Sequence, residues 1–223
     1  MPLSLNALYQ SFAKHKESSW VLKPENAKSL YEFVKTHNVK NVLDLGTGMG
    51  MSAAVVALAL EEKKIEYKIN TVEQYEKCYK LAQTEIPEEL RKNITFHRTD
   101  SILWNHPEIP DQLFSNFKEL PEGEFDLIIV DGPGPWLDEN GRLIETPNGD
   151  VLKFHLENNI KPGTFIFFDG RLKALAMLER FYPADFWLVS GSGNRTHFLE
   201  RCEGEPKFKD ERKAMYQKDG YFT

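Results

Sequence analysis

The sequence predicts an α/β chain built on a mostly parallel sheet of seven strands, with helices on both faces and an antiparallel hairpin at its C-terminal end. Three observations predict it. Short apolar runs alternate with helix-length segments from Val42 to Phe181, the pattern of strands joined by helical crossovers. Four of those runs end in a carboxylate or lead into a glycine turn, at Gly46, Glu73, Asp131 and Asp169. The last two runs, Asp185 to Ser190 and Thr196 to Cys202, flank the glycine-rich turn Gly191-Ser-Gly-Asn194, which reads as a hairpin.

Taken in order, residues 3 to 16 suggest a short amphipathic helix. Ser18 to Lys23 is a loop, and Pro24 opens a second helix to about Thr36, since proline suits a first helical turn. This prelude, residues 1–38, is expected to form a helical cap over one side of a ligand pocket. The body of the chain follows at 39–203.

Val42 to Leu45 is a buried strand that runs into Gly46, Gly48 and Gly50, and the apolar stretch Ala53 to Leu60 continues as a helix. Glycines there allow positive φ and let a ligand come close to the backbone. The helix start adds free N–H groups and the positive end of its dipole. A small molecule with a nucleotide-like or carboxylate part fits such a turn.

The second strand, Tyr67 to Glu73, ends in an acid suited to the two hydroxyls of a ribose. Tyr75 to Thr84 reads as a helix. Asn93 to His97 is the third strand, followed by Asp100 and Ser101. Trp104 to Glu124 looks like an insertion holding a short helix from Asp111 to Phe117. Phe125 to Asp131 is the clearest buried strand, and the connection after it, up to Asp150, is long enough to suggest function. Pro162 to Asp169 is the fifth strand and Leu172 to Phe181 a helix. Residues 204–223 read as a polar tail. In an open parallel sheet the C-terminal strand ends line one crevice, so these acids and glycines should converge there.

Composition narrows the function. The 223 residues suit one sizeable domain. A net charge of -6 without a basic block argues against general nucleic-acid binding. Cys78 and Cys202 lie far apart without metal-type spacing, as expected in a reducing compartment. The longest apolar run is too short to span a bilayer, and the N-terminus lacks the pattern of a signal peptide. A cytoplasmic protein without membrane or nucleic-acid partners is expected.

Leu43-Asp-Leu-Gly-Thr-Gly-Met-Gly-Met-Ser-Ala53 resembles motif I of the class I S-adenosylmethionine (SAM) methyltransferases, and most of all the catechol- and caffeoyl-type O-methyltransferases. Lys23-Pro-Glu-Asn-Ala27 resembles the same branch. Asp131-Gly-Pro-Gly134 and Phe168-Asp-Gly-Arg171 are similar to methyltransferases of sugar and polysaccharide biosynthesis. A dinucleotide fingerprint would instead need a third glycine at Met51.

The resemblance implies a Rossmann-like methyltransferase sheet, SAM as cofactor and O-methylation of a hydroxyl on a small molecule or saccharide. It implies cofactor contacts from Asp44, Gly46, Thr47, Gly48, Ser52, Glu73, Gln74, Asp100, Ser101 and Asp131. Asp44 could equally tether the glycine turn, and Asp100 could be a turn former or helix cap. Candidate bases are Asp131, Asp169 and His155, although a histidine on a helix is more often exposed or a cap.

Asp131 and Asp169 also match the two aspartates that hold a divalent cation in catechol-type enzymes. The sequence departs from that pattern at Gly170, where the family has asparagine, and at Gly134, where it often has lysine. Two carboxylates can still hold Mg²⁺ together with waters and substrate oxygens. Arg171 is a candidate for an anionic substrate group or a surface ion pair, and Trp136 for stacking on a substrate or packing over its own loop. A homodimer is compatible with the chain. The alternative activities are aminopropyl transfer, NAD-dependent oxidation, and a non-catalytic methyltransferase-like binding subunit.

Overall fold

The computed structural model describes residues 3–18, 21–134, 136–137, 140, 142–144, 146–192 and 196–202. Two N-terminal helices, α1 (Leu5–Ala13) and α2 (Pro24–Thr36), precede β1 (Asn41–Leu45), α3 (Met51–Lys63) and β2 (Lys68–Glu73). Helices α4 (Glu76–Glu85) and α5 (Glu88–Arg91) lead to β3 (Ile94–Arg98), β4 (Ser101–Asn105), β5 (Leu113–Phe117) and β6 (Leu127–Val130). The second half holds β7 (Trp136–Leu137), β8 (Leu143–Ile144), α6 (Asp150–Leu156), β9 (Phe165–Asp169), α7 (Leu172–Phe181), β10 (Phe186–Ser192) and β11 (Thr196–Arg201).

Seven strands form one sheet in the order β10-β11-β9-β6-β1-β2-β3. The five from β9 to β3 run parallel, and β11 lies antiparallel to both β9 and β10. This is the architecture expected from the sequence, hairpin included. The chain begins at the middle of the sheet and winds outward in both directions from β1, so the connections diverge between β1 and β6. A crevice opens at such a switch point.

The two faces of the sheet follow from side-chain alternation. In β6, Leu127 and Ile129 join a core with α1, α2 and α3, while Ile128 and Val130 join a second core with α6, α7 and β5. Helix α3 is buried from Met51 to Leu60. Its small and branched residues (Ala53, Ala54, Val55, Val56, Ala57) meet the sheet on one side and α1 and α2 on the other, which explains why it is apolar all round. The N-terminal helices thus share the core of the sheet. Pro24 at the start of α2 supplies the expected helix opening, and the Ser4 hydroxyl caps α1 by accepting the Ala7 amide at 3.2 Å.

One expectation is corrected. The Asp111–Phe117 segment is not helical: Leu113–Phe117 is β5, paired antiparallel with β4. Phe114 and Phe117 are buried, and the extended backbone carries them into the second core, where tertiary packing outweighs local preference. The tail at 204–223 and the tip of the last hairpin, residues 193–195, lie outside the described residues.

Candidate active site

The C-terminal ends of β1, β2, β6 and β9 surround a cavity of about 350 Å³. Its walls include Gly46 and Gly48, Glu73 to Tyr75, Asp131 to Gly134, and Asp169 to Arg171. Lys23 and Asn26 enter from the start of α2, and Phe117 from the end of β5.

The glycine turn is held on both sides. The amides of Gly46 and Thr47 donate to the Val72 carbonyl of β2, at 3.0 and 3.1 Å, and the Asp131 amide donates to the Leu45 carbonyl at 2.8 Å. Gly46 has φ +101°, and a β-carbon there would fall 2.4 Å from the Gly132 nitrogen. Only glycine lets the two strand-end loops meet.

Asp44 lies beneath the turn and is fully buried. Its Oδ2 accepts hydrogen bonds from the Ser52 hydroxyl at 2.8 Å and the Thr71 hydroxyl at 2.9 Å. Thr71 in turn pairs with Thr47. Asp44, Thr47 and Ser52 are therefore a tether behind the turn and do not line the cavity. Burial raises the Asp44 carboxyl pKa to about 7, against the two hydroxyl donors.

Glu73 does line it. Its carboxylate accepts the Gly48 amide on one oxygen and the Gln74 and Tyr75 amides on the other, each at 2.8 Å. Burial pushes its pKa up in spite of these donors. Gln74 accepts the Gly134 amide at 2.8 Å, which links the β2 end to the loop after β6. Asn148 supports the same loop from behind, donating to the Pro133 carbonyl at 2.9 Å.

Asp131 and Asp169 both reach the cavity. Burial raises the Asp131 pKa to about 8; Asp169 and Asp44 add in the same direction and the Arg171 guanidinium opposes it. An Arg171 guanidinium nitrogen is 3.2 Å from the Asp131 Oδ1 and also donates to the Asp131 main-chain carbonyl. Asp169 accepts the Asn26 side-chain amide at 2.6 Å, and burial raises its pKa as well. Among the described residues, no group of three or more His, Cys, Asp or Glu side chains stands together as a metal site.

The structure leaves other expected residues outside the cavity. His155 is on α6, where it is largely buried and neither exposed nor a cap. Its Nε2 lies 3.0 Å from Asp185, and its ring packs edge-on against Tyr182 and Phe186. Asp100 is 75% exposed and pairs with Arg98, and Ser101 begins β4; neither lines the cavity. Trp136 lies on the short hairpin of β7 and β8.

Asn26, Lys23, Tyr75 and Phe117 were not among the expected site residues. The Lys23–Ala27 motif already held a clue to the first two. Nothing local marks Phe117, which reaches the cavity because β5 pairs with β4.

Residues 2–134 match the family described as O-methyltransferase, a span that includes the glycine turn, Glu73 and Asp131. No curated protein matches the sequence. Among solved structures, the chain is similar to the methyltransferase PaMTH1 of Podospora anserina bound to S-adenosylhomocysteine (SAH), with TM-score 0.62, 14% identity, and coverage of 91% of this chain and 89% of that one. It is also similar to the O-methyltransferase TomG of Streptomyces achromogenes, involved in tomaymycin synthesis and solved with SAM, at TM-score 0.56, 14% identity, and 90% and 89% coverage. An O-methyltransferase of Bacillus cereus in complex with SAH has TM-score 0.55, 15% identity, and 91% and 93% coverage. These likenesses establish the fold, and the match over more than half of the sequence establishes the lineage: the chain belongs to the O-methyltransferase family.

Proposed function

We propose that this protein is a SAM-dependent O-methyltransferase acting on a hydroxyl of a small molecule or saccharide. The observation that carries the proposal is the Glu73 carboxylate, buried at the end of β2 and facing a cavity bounded by the glycine turn. The SAM and SAH complexes of similarly folded enzymes support it.

In this reading Glu73 receives the ribose hydroxyls, and the amides around Gly46 and Gly48 receive the amino-acid end of SAM. Gln74 and Tyr75 flank the nucleoside. When bound, SAM supplies an electrophilic methyl carbon on a sulfonium. In its ionised form, which the Arg171 guanidinium favours, Asp131 takes the proton from the acceptor hydroxyl; burial raises its proton affinity and so makes that carboxylate a stronger base than an ordinary one. Asp169, fixed by Asn26, holds the far wall of the acceptor space. Such positioning contributes a large share of the rate in a direct displacement.

The donor set does not fit a divalent cation well. Gly170 offers no ligand, one carboxylate is engaged by a guanidinium, and the other by an amide N–H. No step is assigned to a metal. Neither cysteine forms a disulfide, and a cytoplasmic setting belongs to the same proposal.

Calorimetric titration with SAM and SAH tests the reading. Saturable one-to-one binding of both is expected, followed by transfer of a labelled methyl group to a hydroxyl compound in a screen of small molecules and saccharides. Failure of both ligands to bind would overturn it.

A further inference from the structure

We propose that Arg171 is the resident cation of this active site, standing where the resemblance to catechol-type enzymes implies a divalent metal, and that the acceptor oxygen is held by its guanidinium. The inference rests on the methyl-transfer reading and deepens it.

Three observations meet at one place. Arg171 is fastened to Asp131 twice, through the carboxylate at 3.2 Å and through the main-chain carbonyl. Those bonds use one terminal nitrogen. Among the described residues, the other terminal nitrogen and Nε bond no protein acceptor, and the side chain keeps 31% exposure at the cavity wall. A guanidinium presents its remaining donors as a planar fork that matches a pair of neighbouring oxygens.

Gly170 is the second observation. It has φ +66°, and a β-carbon added there would meet nothing within 4 Å. Asparagine tolerates positive φ, so the fold has both the space and the backbone for the metal-binding amide, yet the chain carries glycine. The position is not closed to a ligand by crowding.

The third is electrostatic. Arg171 lines the cavity together with Asp131 and Asp169, two like charges, and its guanidinium stands 3.2 Å from the Asp131 carboxylate. A cation shared by two carboxylates performs the service expected of a divalent ion. Unlike that ion it is covalently part of the chain, and the acceptor class it favours is a hydroxyl beside a second, negatively charged oxygen.

Manganese binding tests this without an acceptor. SAH-loaded wild type is expected to bind no Mn²⁺ when titrated into the millimolar range, as read by the electron paramagnetic resonance of free Mn²⁺. R171A, which frees the two carboxylates, should bind Mn²⁺ at least about ten-fold more tightly than wild type, roughly 1.4 kcal/mol. G170N/R171A should bind it more tightly still, and adding D131N should abolish the site. Thermal denaturation of every variant reports an intact fold, and SAH titration reports that the site is loaded. Mn²⁺ binding to SAH-loaded wild type that D131N removes would overturn the inference. So would Mn²⁺ affinity in R171A no higher than in wild type while SAH still binds. With an acceptor in hand, EDTA should leave wild-type turnover unchanged; a loss restored by Mg²⁺ would also overturn it. Failure of wild type to bind SAH would strike the methyl-transfer reading instead.

Discussion

Gly46 and Gly132 touch through their backbones. A β-carbon on Gly46 would stand 2.4 Å from the Gly132 nitrogen, and one on Gly132 would stand 2.6 Å from the Gly46 α-carbon. The loops after β1 and β6, which carry the glycine turn and Asp131, are thus packed so closely that neither glycine has room for a β-carbon.

Gly46→Ala should therefore fail on two counts, contact and positive φ. The conformational strain alone costs about 1–3 kcal/mol. For a chain of this size each kcal/mol lowers the melting temperature by about 2–4 °C. Thermal denaturation should show the drop, and SAH titration should show lost binding. A variant with wild-type melting temperature and SAH affinity would contradict the packing described.

Glu73 holds three amides and, in the proposed function, the ribose. Glu73→Ala should weaken SAH by about 10- to 100-fold, the loss of one charge-assisted hydrogen bond or more. Glu73→Gln should fall between, since it keeps an acceptor without the charge. Calorimetry decides, and unchanged affinity in Glu73→Ala would remove the cofactor from this site.

Asp44 makes stability depend on pH. Its folded-state pKa, about 7, stands above the ordinary 3.8, so the folded chain binds its proton more tightly than the unfolded chain does. The stability this contributes is complete below the ordinary value and is lost as pH rises through about 7. The ligand-free protein should lose on the order of 1–2 kcal/mol between mildly acidic and mildly alkaline pH from this group. Asp44→Asn keeps an acceptor for Ser52 and Thr71 and should flatten that slope. Urea denaturation across pH measures it; an equal slope in both proteins would refute the assignment.

His155 should matter for stability and not for the cofactor. Removing its contact with Asp185 costs about 1–3 kcal/mol, whereas SAH affinity in His155→Ala should stay within about two-fold of wild type. Burial lowers its pKa from 6.5, so the folded chain resists protonating it. The associated stability is present above 6.5 and is lost as pH falls through the folded value. A large loss of SAH binding in His155→Ala would return this residue to the site.

The sequence by itself determined the seven strands of the main sheet, their direction and the convergence of Gly46, Glu73, Asp131 and Asp169. These follow from apolar periodicity and from the rule that parallel strands bring their C-terminal ends to one edge. It also foretold the antiparallel ending, because a glycine-rich turn between two short strands permits little else. Only the tertiary structure decided which acids face the cavity. Asp44 lies behind the glycine turn because alternation in β1 directs it toward Ser52 of α3, and Asp100 turns outward to Arg98. Asn26 and Phe117 entered the site, and Arg171 its pairing with Asp131, through contacts between residues distant in the chain. Asn26 meets Asp169 across 143 positions and Arg171 meets Asp131 across 40. Such pairings depend on how α2, β5 and α7 pack against the sheet, and no local pattern of residues encodes that distance.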